Sequence, residues 1–274
     1  MMATRTTRDQ PLVVAIASRK GGSGKTTTAL NLGGVLAERG LRVLLIDLDP
    51  QASLTRLILG DEYVQADEAD EADEDSGSPT AGIGARLLRT RKGVADLVRP
   101  AFAGVDLVPG DRSIETTAFA LNDDPTGPLR LRKLLASVTG YDVVLLDTPP
   151  SLGFALNSAL LAASVAVLPT MLAQQDFDAL DDTMGVCDRL AELGVAERIV
   201  ILPNAYRGDG SDRANIAALG DAYGARVAAP IPLAVSIKYA LTARQPVIAR
   251  EPAGVATGAY RALAARLMED APHA

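Results

Sequence analysis

SRKGGSGKTTT, Ser18 to Thr28, is the stretch from which the rest of this chain is read. It follows an apolar run, Pro11 to Ala17 (PLVVAIA), that reads as a buried strand, and it opens a helical pattern at Lys25. Gly21, Gly22 and Gly24 leave backbone N–H groups free to curl around an anion, and the helix N-terminus adds its partial positive charge. Lys25 is then a point charge for the β/γ-phosphates, and the Thr26 hydroxyl is a candidate Mg²⁺ ligand. Gly21, Gly22, Ser23, Gly24, Lys25, Thr26 and Thr27 make up the candidate nucleotide-binding loop. A glycine-rich loop before a helix can be no more than a tight turn. Strand, GxGKT and helix in that order make this one a phosphate loop. The strict spacing G-x-x-x-x-G-K-[ST] is not met, because Arg19 stands at its first position, and a second lysine, Lys20, comes next.

Two further strand ends carry carboxylates. Arg42 to Asp47 (RVLLID) reads as a second buried parallel strand and runs into Asp47-Leu48-Asp49-Pro50-Gln51. Such a position faces the crevice where α/β folds bind ligands, although Asp49-Pro50 could equally start the next helix. Val143 to Leu146 is a third apolar strand, ending in Asp147 and continuing Thr148-Pro149-Pro150-Ser151. An ionised Asp147 opposite Thr26 would hold Mg²⁺ through water; the alternative is an aspartate capping the next helix.

With 274 residues the chain can form one large α/β domain or two small ones, and strand and helix patterns alternate to the end, which favours one. The expectation is a single-domain α/β fold: a mostly parallel P-loop sheet with helices on both faces, over residues 11–270, behind a flexible tail at 1–10. The single cysteine, Cys187, excludes an intrachain disulfide or a paired-cysteine metal site, and the single histidine, His273, sets histidine catalysis aside. No apolar run is long enough to cross a membrane and no secretory segment is evident, so a cytoplasmic location is expected. The net charge is −7, yet Asp61 to Asp75 holds nine acidic residues and no basic one, which leaves the remainder at +2. Residues 61–84 read as an acidic, mobile insertion. Arg86 to Lys92 (RLLRTRK) follows, a basic run that either contacts nucleic-acid phosphates or, the preferred reading, neutralises the acidic tract or is simply solvated.

KGGSGKTT, with DLDPQ and DTPPS at these distances, resembles the deviant Walker A motif and following motifs of the ParA/MinD family of ATPases. The resemblance covers Leu12 to about Met268, outside the acidic insertion, and is closest to ParA partition ATPases. It implies ATP and Mg²⁺ as cofactors and a homodimer built on ATP, in which Lys20 reaches the nucleotide held by the other subunit. It also implies that Asp49 orients the attacking water, that Asp47 belongs to the Mg²⁺ and switch network, and that Thr26 and Asp147 place the metal. Asn204, at the end of the expected strand Ile199 to Pro203, either helps to read adenine or merely ends a strand. Family members bind DNA without sequence preference and respond to a centromere-binding ParB-like adaptor, which implies a nucleoid-associated protein. Lys238, Arg244 and Arg207 are the candidate DNA contacts. The family segment I-P-R-x-V-R is here Ile231-Pro232-Leu233-Ala234-Val235-Ser236, so both arginines are missing. The last helix lacks a membrane-targeting pattern. Two other readings are a ParA-like ATPase that positions a protein cargo and a P-loop synthetase that phosphorylates a small-molecule carboxylate. A nitrogenase-reductase-like role is excluded by the lone cysteine.

Sequence reading also expects a last strand at Arg226 to Ala229 with its exit at Pro230 to Pro232, and helices at Ser113–Leu121, Leu129–Val138, Gln175–Leu193, Ala234–Ala243 and Gly254–Met268.

Overall fold

The computed structural model describes residues 10–65, 82–89, 93–121 and 124–269. Most of the expected N-terminal tail, the centre of the acidic insertion and the Thr90 to Lys92 end of the basic run lie outside the described residues.

Seven strands form one sheet: β1 (Leu12–Ile16), β2 (Val43–Asp47), β3 (Arg99–Phe102), β4 (Val105–Val108), β5 (Val143–Asp147), β6 (Val165–Met171) and β7 (Arg198–Asn204). Their order is β3-β4-β2-β5-β1-β6-β7, and only the β3–β4 pair is antiparallel. Continuous apolar runs such as VVLL in β5 are what a parallel sheet covered on both faces requires. Successive residues serve opposite faces: Val13 and Ala15 of β1, Leu44 and Ile46 of β2 and Val144 and Leu146 of β5 enter one core. Leu12, Val14, Ile16, Val43, Leu45, Val143 and Leu145 enter the other. The helices Lys25–Glu38 and Val255–Glu269 cover the second face. Helices Ile83–Arg89, Ser113–Ala120, Arg130–Leu135, Phe154–Ala162 and Gln174–Leu190 cover the first. The expected α/β architecture is observed.

Four details differ from the sequence reading. The expected last strand is reduced to two isolated bridges, Ile201 with Val227 and Tyr206 with Pro232, because Pro230 and Pro232 have no N–H to donate to a ladder. Strand β3, unforeseen, is a short edge strand that pairs back through a tight turn at Gly104 (φ +77°). Helices Phe154–Ala162 and Gly210–Tyr223 were also unforeseen. The described ends of the acidic insertion are packed: residues 61–65 are helical with Val64 buried, and Ile83 is fully buried at the start of its helix. Residues 61–65 and 82–84, all within the expected mobile insertion, are therefore part of the packed structure.

Arg86, from the basic run, is buried as well. Its guanidinium forks onto both carboxylate oxygens of Asp96 (2.9 and 2.6 Å) and donates to the Gly93 carbonyl (2.6 Å). Its partner thus lies outside the acidic tract, and this arginine is neither a DNA contact nor a counter-charge to that tract.

Among the described residues no helix is long and apolar enough to cross a membrane.

Candidate nucleotide and metal site

The site is built where β1, β2 and β5 end. Register pairs Ile16 with Asp147 and Asp147 in turn with Asp47, so the phosphate loop leaves the centre of the sheet beside Asp147, with Asp47 one strand further on. Gly22 (φ +77°) and Gly24 (φ +93°) take left-handed backbone conformations that L side chains rarely adopt, and Gly24 caps the helix that Lys25 begins. A Cβ at Gly24 would also run into the Asn204 amide, which would have to move aside. Gly21 and Gly22 are exposed, whereas Ser23 and Lys25 are buried.

Lys25 donates to the Lys20 carbonyl at 3.1 Å, which folds its ammonium into the curl of the loop. Burial lowers its pKa, opposed by the carboxylates of Asp147 and Asp49. The Thr26 hydroxyl donates to Asp147 Oδ2 at 2.7 Å, which brings together the two residues expected to place a metal. Asp147 Oδ1 is buried with no hydrogen-bond partner. That orphaned oxygen beside a threonine hydroxyl fits a hard cation such as Mg²⁺, which is held by one or two carboxylates and keeps several waters.

Asp47 and Asp147 are both wholly buried, and burial dominates their electrostatics. It raises Asp47 to about 6 against hydrogen bonds from Thr55 and Asp49, and it raises Asp147 further with the help of the Asp47 charge. Asp47 Oδ2 accepts from Thr55 N (2.9 Å) and Thr55 Oγ1 (2.8 Å), and its Oδ1 accepts from Asp49 N (3.1 Å). The Asp49 carboxylate accepts from Gln51 N at 2.9 Å, which fixes its direction at the start of the following turn.

Lys20 is not free in the single chain. Its ammonium lies 2.5 Å from Asp176 Oδ1, a buried carboxylate in the first turn of helix Gln174–Leu190. Arg19 pairs with Asp182 on the same helix, and its backbone N–H donates to Thr183 Oγ1 at 3.3 Å. Sequence reading missed Asp176, Thr55 and Gly110, which lie in segments with no motif of their own.

Asn204 ends β7, as expected, and donates to the Ser23 carbonyl at 3.0 Å. Beside it opens a pocket of about 240 Å³ that Thr27, Met171, Pro232, Ile237 and Leu241 help to line. An apolar slot bordered by one amide and continuous with a phosphate loop suits a purine base. Lys238 lies on its rim, and Arg207 follows β7 beside the Ile231–Leu233 segment, joined by Leu233 N to Tyr206 O at 2.8 Å. The Arg244 side chain lies instead over Gly60. All three cations are exposed, but the structure does not gather them into one cluster around the position of the missing arginines.

A central phosphate loop, a buried acid opposite its threonine and a base-sized slot define a P-loop nucleotide-binding ATPase. Residues 12–192 match the AAA domain family, and the chain belongs to the ParA/MinD family of P-loop ATPases. ATP and Mg²⁺ are the cofactors of that family. The chain is 35% identical over 197 residues to the chromosome-partitioning ATPase Soj of Thermus thermophilus, covering 69% of this chain and 66% of that protein. It spans 40%, 66% and 62% of the length of the first three curated relatives it matches. Its fold is that of an ATP complex of Cyanothece McdA (TM-score 0.79, 21% identity, 97% and 99% of the two chains). It is similar too to cobyrinic acid a,c-diamide synthase of Mycobacterium smegmatis with a bound ATP analogue and magnesium (TM-score 0.75, 25% identity, 94% and 95% of the two chains).

Proposed function

We propose that this chain is a partition-type ATPase whose ATP-bound form is a sandwich dimer that binds DNA without sequence preference. A ParB-like adaptor stimulates slow ATP hydrolysis, which resets the dimer and moves a plasmid or chromosome. The observation that carries this reading is the position of Lys20: a second, partly exposed lysine at the lip of a complete phosphate loop, whose own Lys25 is folded into the curl of the loop.

Phosphoryl transfer to water depends on positioned charge. Mg²⁺, when bound, would neutralise charge on the β- and γ-phosphates, with Thr26 and Asp147 holding it. Lys25 supports the same oxygens from within the loop, and Lys20 of a second copy would add a further positive charge. Asp49 orients the attacking water. Asp49 aligns the water without having to act as a strong base, so turnover is slow. A slow step suits a timer.

Leu233 occupies the place of the first missing arginine and is 60% exposed, so any DNA contact must come from neighbours such as Lys238 and Arg207. The test is binding to a random-sequence duplex with ATP, ADP or no nucleotide across a salt series. Binding with ATP alone that falls steeply with salt supports the reading. Dimerisation on ATP without DNA binding would point to a protein cargo or another track. The fold match to cobyrinic acid a,c-diamide synthase keeps a second reading in view, phosphorylation of a small-molecule carboxylate, for which turnover would require such an acid and no second copy.

A further inference from the structure

The two buried aspartates are not equivalent. Asp147 has one oxygen on Thr26 and one with no partner, so it has acceptor capacity left for a cation. Asp47 already accepts three hydrogen bonds from within the protein, Thr55 N and Thr55 Oγ1 on Oδ2 and Asp49 N on Oδ1, which leaves one acceptor site on Oδ1 for the metal. Its role is to be held, and Thr55 holds it. The Thr55 side chain is fully buried, and its hydroxyl has only one proton, which goes to Asp47; it therefore meets Gly110 N (2.8 Å) as an acceptor. Gly110, just past β4, closes the other side. A Cβ there would lie 2.8 Å from Asp47 Cγ and 3.0 Å from the Asp49 carbonyl oxygen. Between the aspartates and Thr55 the chain makes a tight return through Ala52, whose φ is +51° and whose N–H donates to Asp49 O at 2.8 Å. The segment from Asp47 to Thr55 is thus a closed ring whose position is set from β4.

We propose that Thr55, backed by Gly110, is a positioning residue for the hydrolysis site. Its hydroxyl is committed to Asp47 and Gly110; it fixes Asp47, and through the Asp49 backbone it fixes the direction of the Asp49 carboxylate. This rests on the ATPase reading above. The phosphate loop hangs from β1, while this clamp ties β2 to the segment after β4, so the two are separable: losing the clamp leaves phosphate binding and removes the alignment of metal and water.

The test compares Thr55→Val, which keeps shape and loses the hydroxyl, with Thr55→Ser, which keeps it. Gly110→Ala attacks the clamp from the other side. For each variant, ATP turnover, melting temperature, and affinity for a non-hydrolysable ATP analogue with and without Mg²⁺ are measured. Removing an outer partner of a metal-site ligand changes metal affinity or rate by about 10-fold or more. Thr55→Val should lose about that factor in kcat and in the Mg²⁺-dependent gain in analogue affinity, with Mg²⁺-free affinity kept within about threefold. Thr55→Ser should recover most of both, and Gly110→Ala should follow Thr55→Val. Wild-type kcat and Mg²⁺ gain in Thr55→Val overturn the proposal, as does equal loss in Thr55→Ser, or parallel loss of Mg²⁺-free affinity. Arrest by Asp49→Ala reports on the ATPase reading separately. The Mg²⁺-linked affinity reads the clamp even where turnover is too slow to follow.

Discussion

At Gly24 the phosphate loop leaves no room for a side chain unless Asn204 moves. The residue is left-handed, and Asn204 Nδ2 occupies the space that a side chain would need. Gly24→Ala must displace Asn204 from the Ser23 carbonyl and strain the loop, by roughly 1–3 kcal/mol. Affinity for a fluorescent ATP analogue should fall about 10-fold or more. The buried carboxylates supply a second prediction. Burial raises Asp47 to about 6, and Asp147 more strongly, so the folded chain binds protons that the unfolded chain has already lost. Their stabilising contribution is full below pH 4 and is lost as pH rises through about 6 and above. The melting temperature of the nucleotide-free protein should therefore rise as pH is lowered from about 7.5 to about 5.5. Asp147→Asn should flatten that slope, and an unchanged slope would mean that the pair does not titrate there. The acids themselves were legible because each ends an apolar run. Thr55 and Gly110 were not, because their importance comes from a meeting between segments far apart in sequence.

Among the elements, β1, β2 and β5 could be read from the chain because strands buried on both faces show as unbroken apolar runs. Helix Phe154–Ala162 was overlooked for the same physical reason: it is apolar nearly all round, so it shows no helical stripe. Gly210–Tyr223 fails in the opposite way, since its buried residues are only Asp212 and Leu219. Strand β3 carries Pro100, which sequence patterns count against a strand but which an edge tolerates. The basic run after the insertion shows how composition can mislead, because Arg86 is there to fasten helix Ile83–Arg89 to the Gly93–Asp96 turn. Arg86→Met should remove a charge-assisted fork and leave the Gly93 carbonyl without this donor, destabilising the fold by about 2 kcal/mol. Urea unfolding would measure it, and a change below about 0.5 kcal/mol would show that the pair is no better than a surface contact.

For the whole molecule, the phosphate loop and helix Gln174–Leu190 act together. In the single chain this helix holds Lys20 through Asp176 and Arg19 through Asp182. In the proposed dimer Lys20 cannot keep that pairing and also reach a nucleotide in a second copy, so assembly on ATP would exchange one anionic partner for another. The measurement that tests this most directly is sedimentation of three proteins, wild type, Asp49→Ala and Lys20→Ala/Asp49→Ala, each with Mg²⁺ and either ATP or ADP. The account predicts that Asp49→Ala accumulates as a dimer with ATP alone, and that adding Lys20→Ala returns it to monomer while ATP still binds. A double variant that remains dimeric on ATP, or an Asp49→Ala protein that stays monomeric, would contradict an ATP-built dimer closed by Lys20.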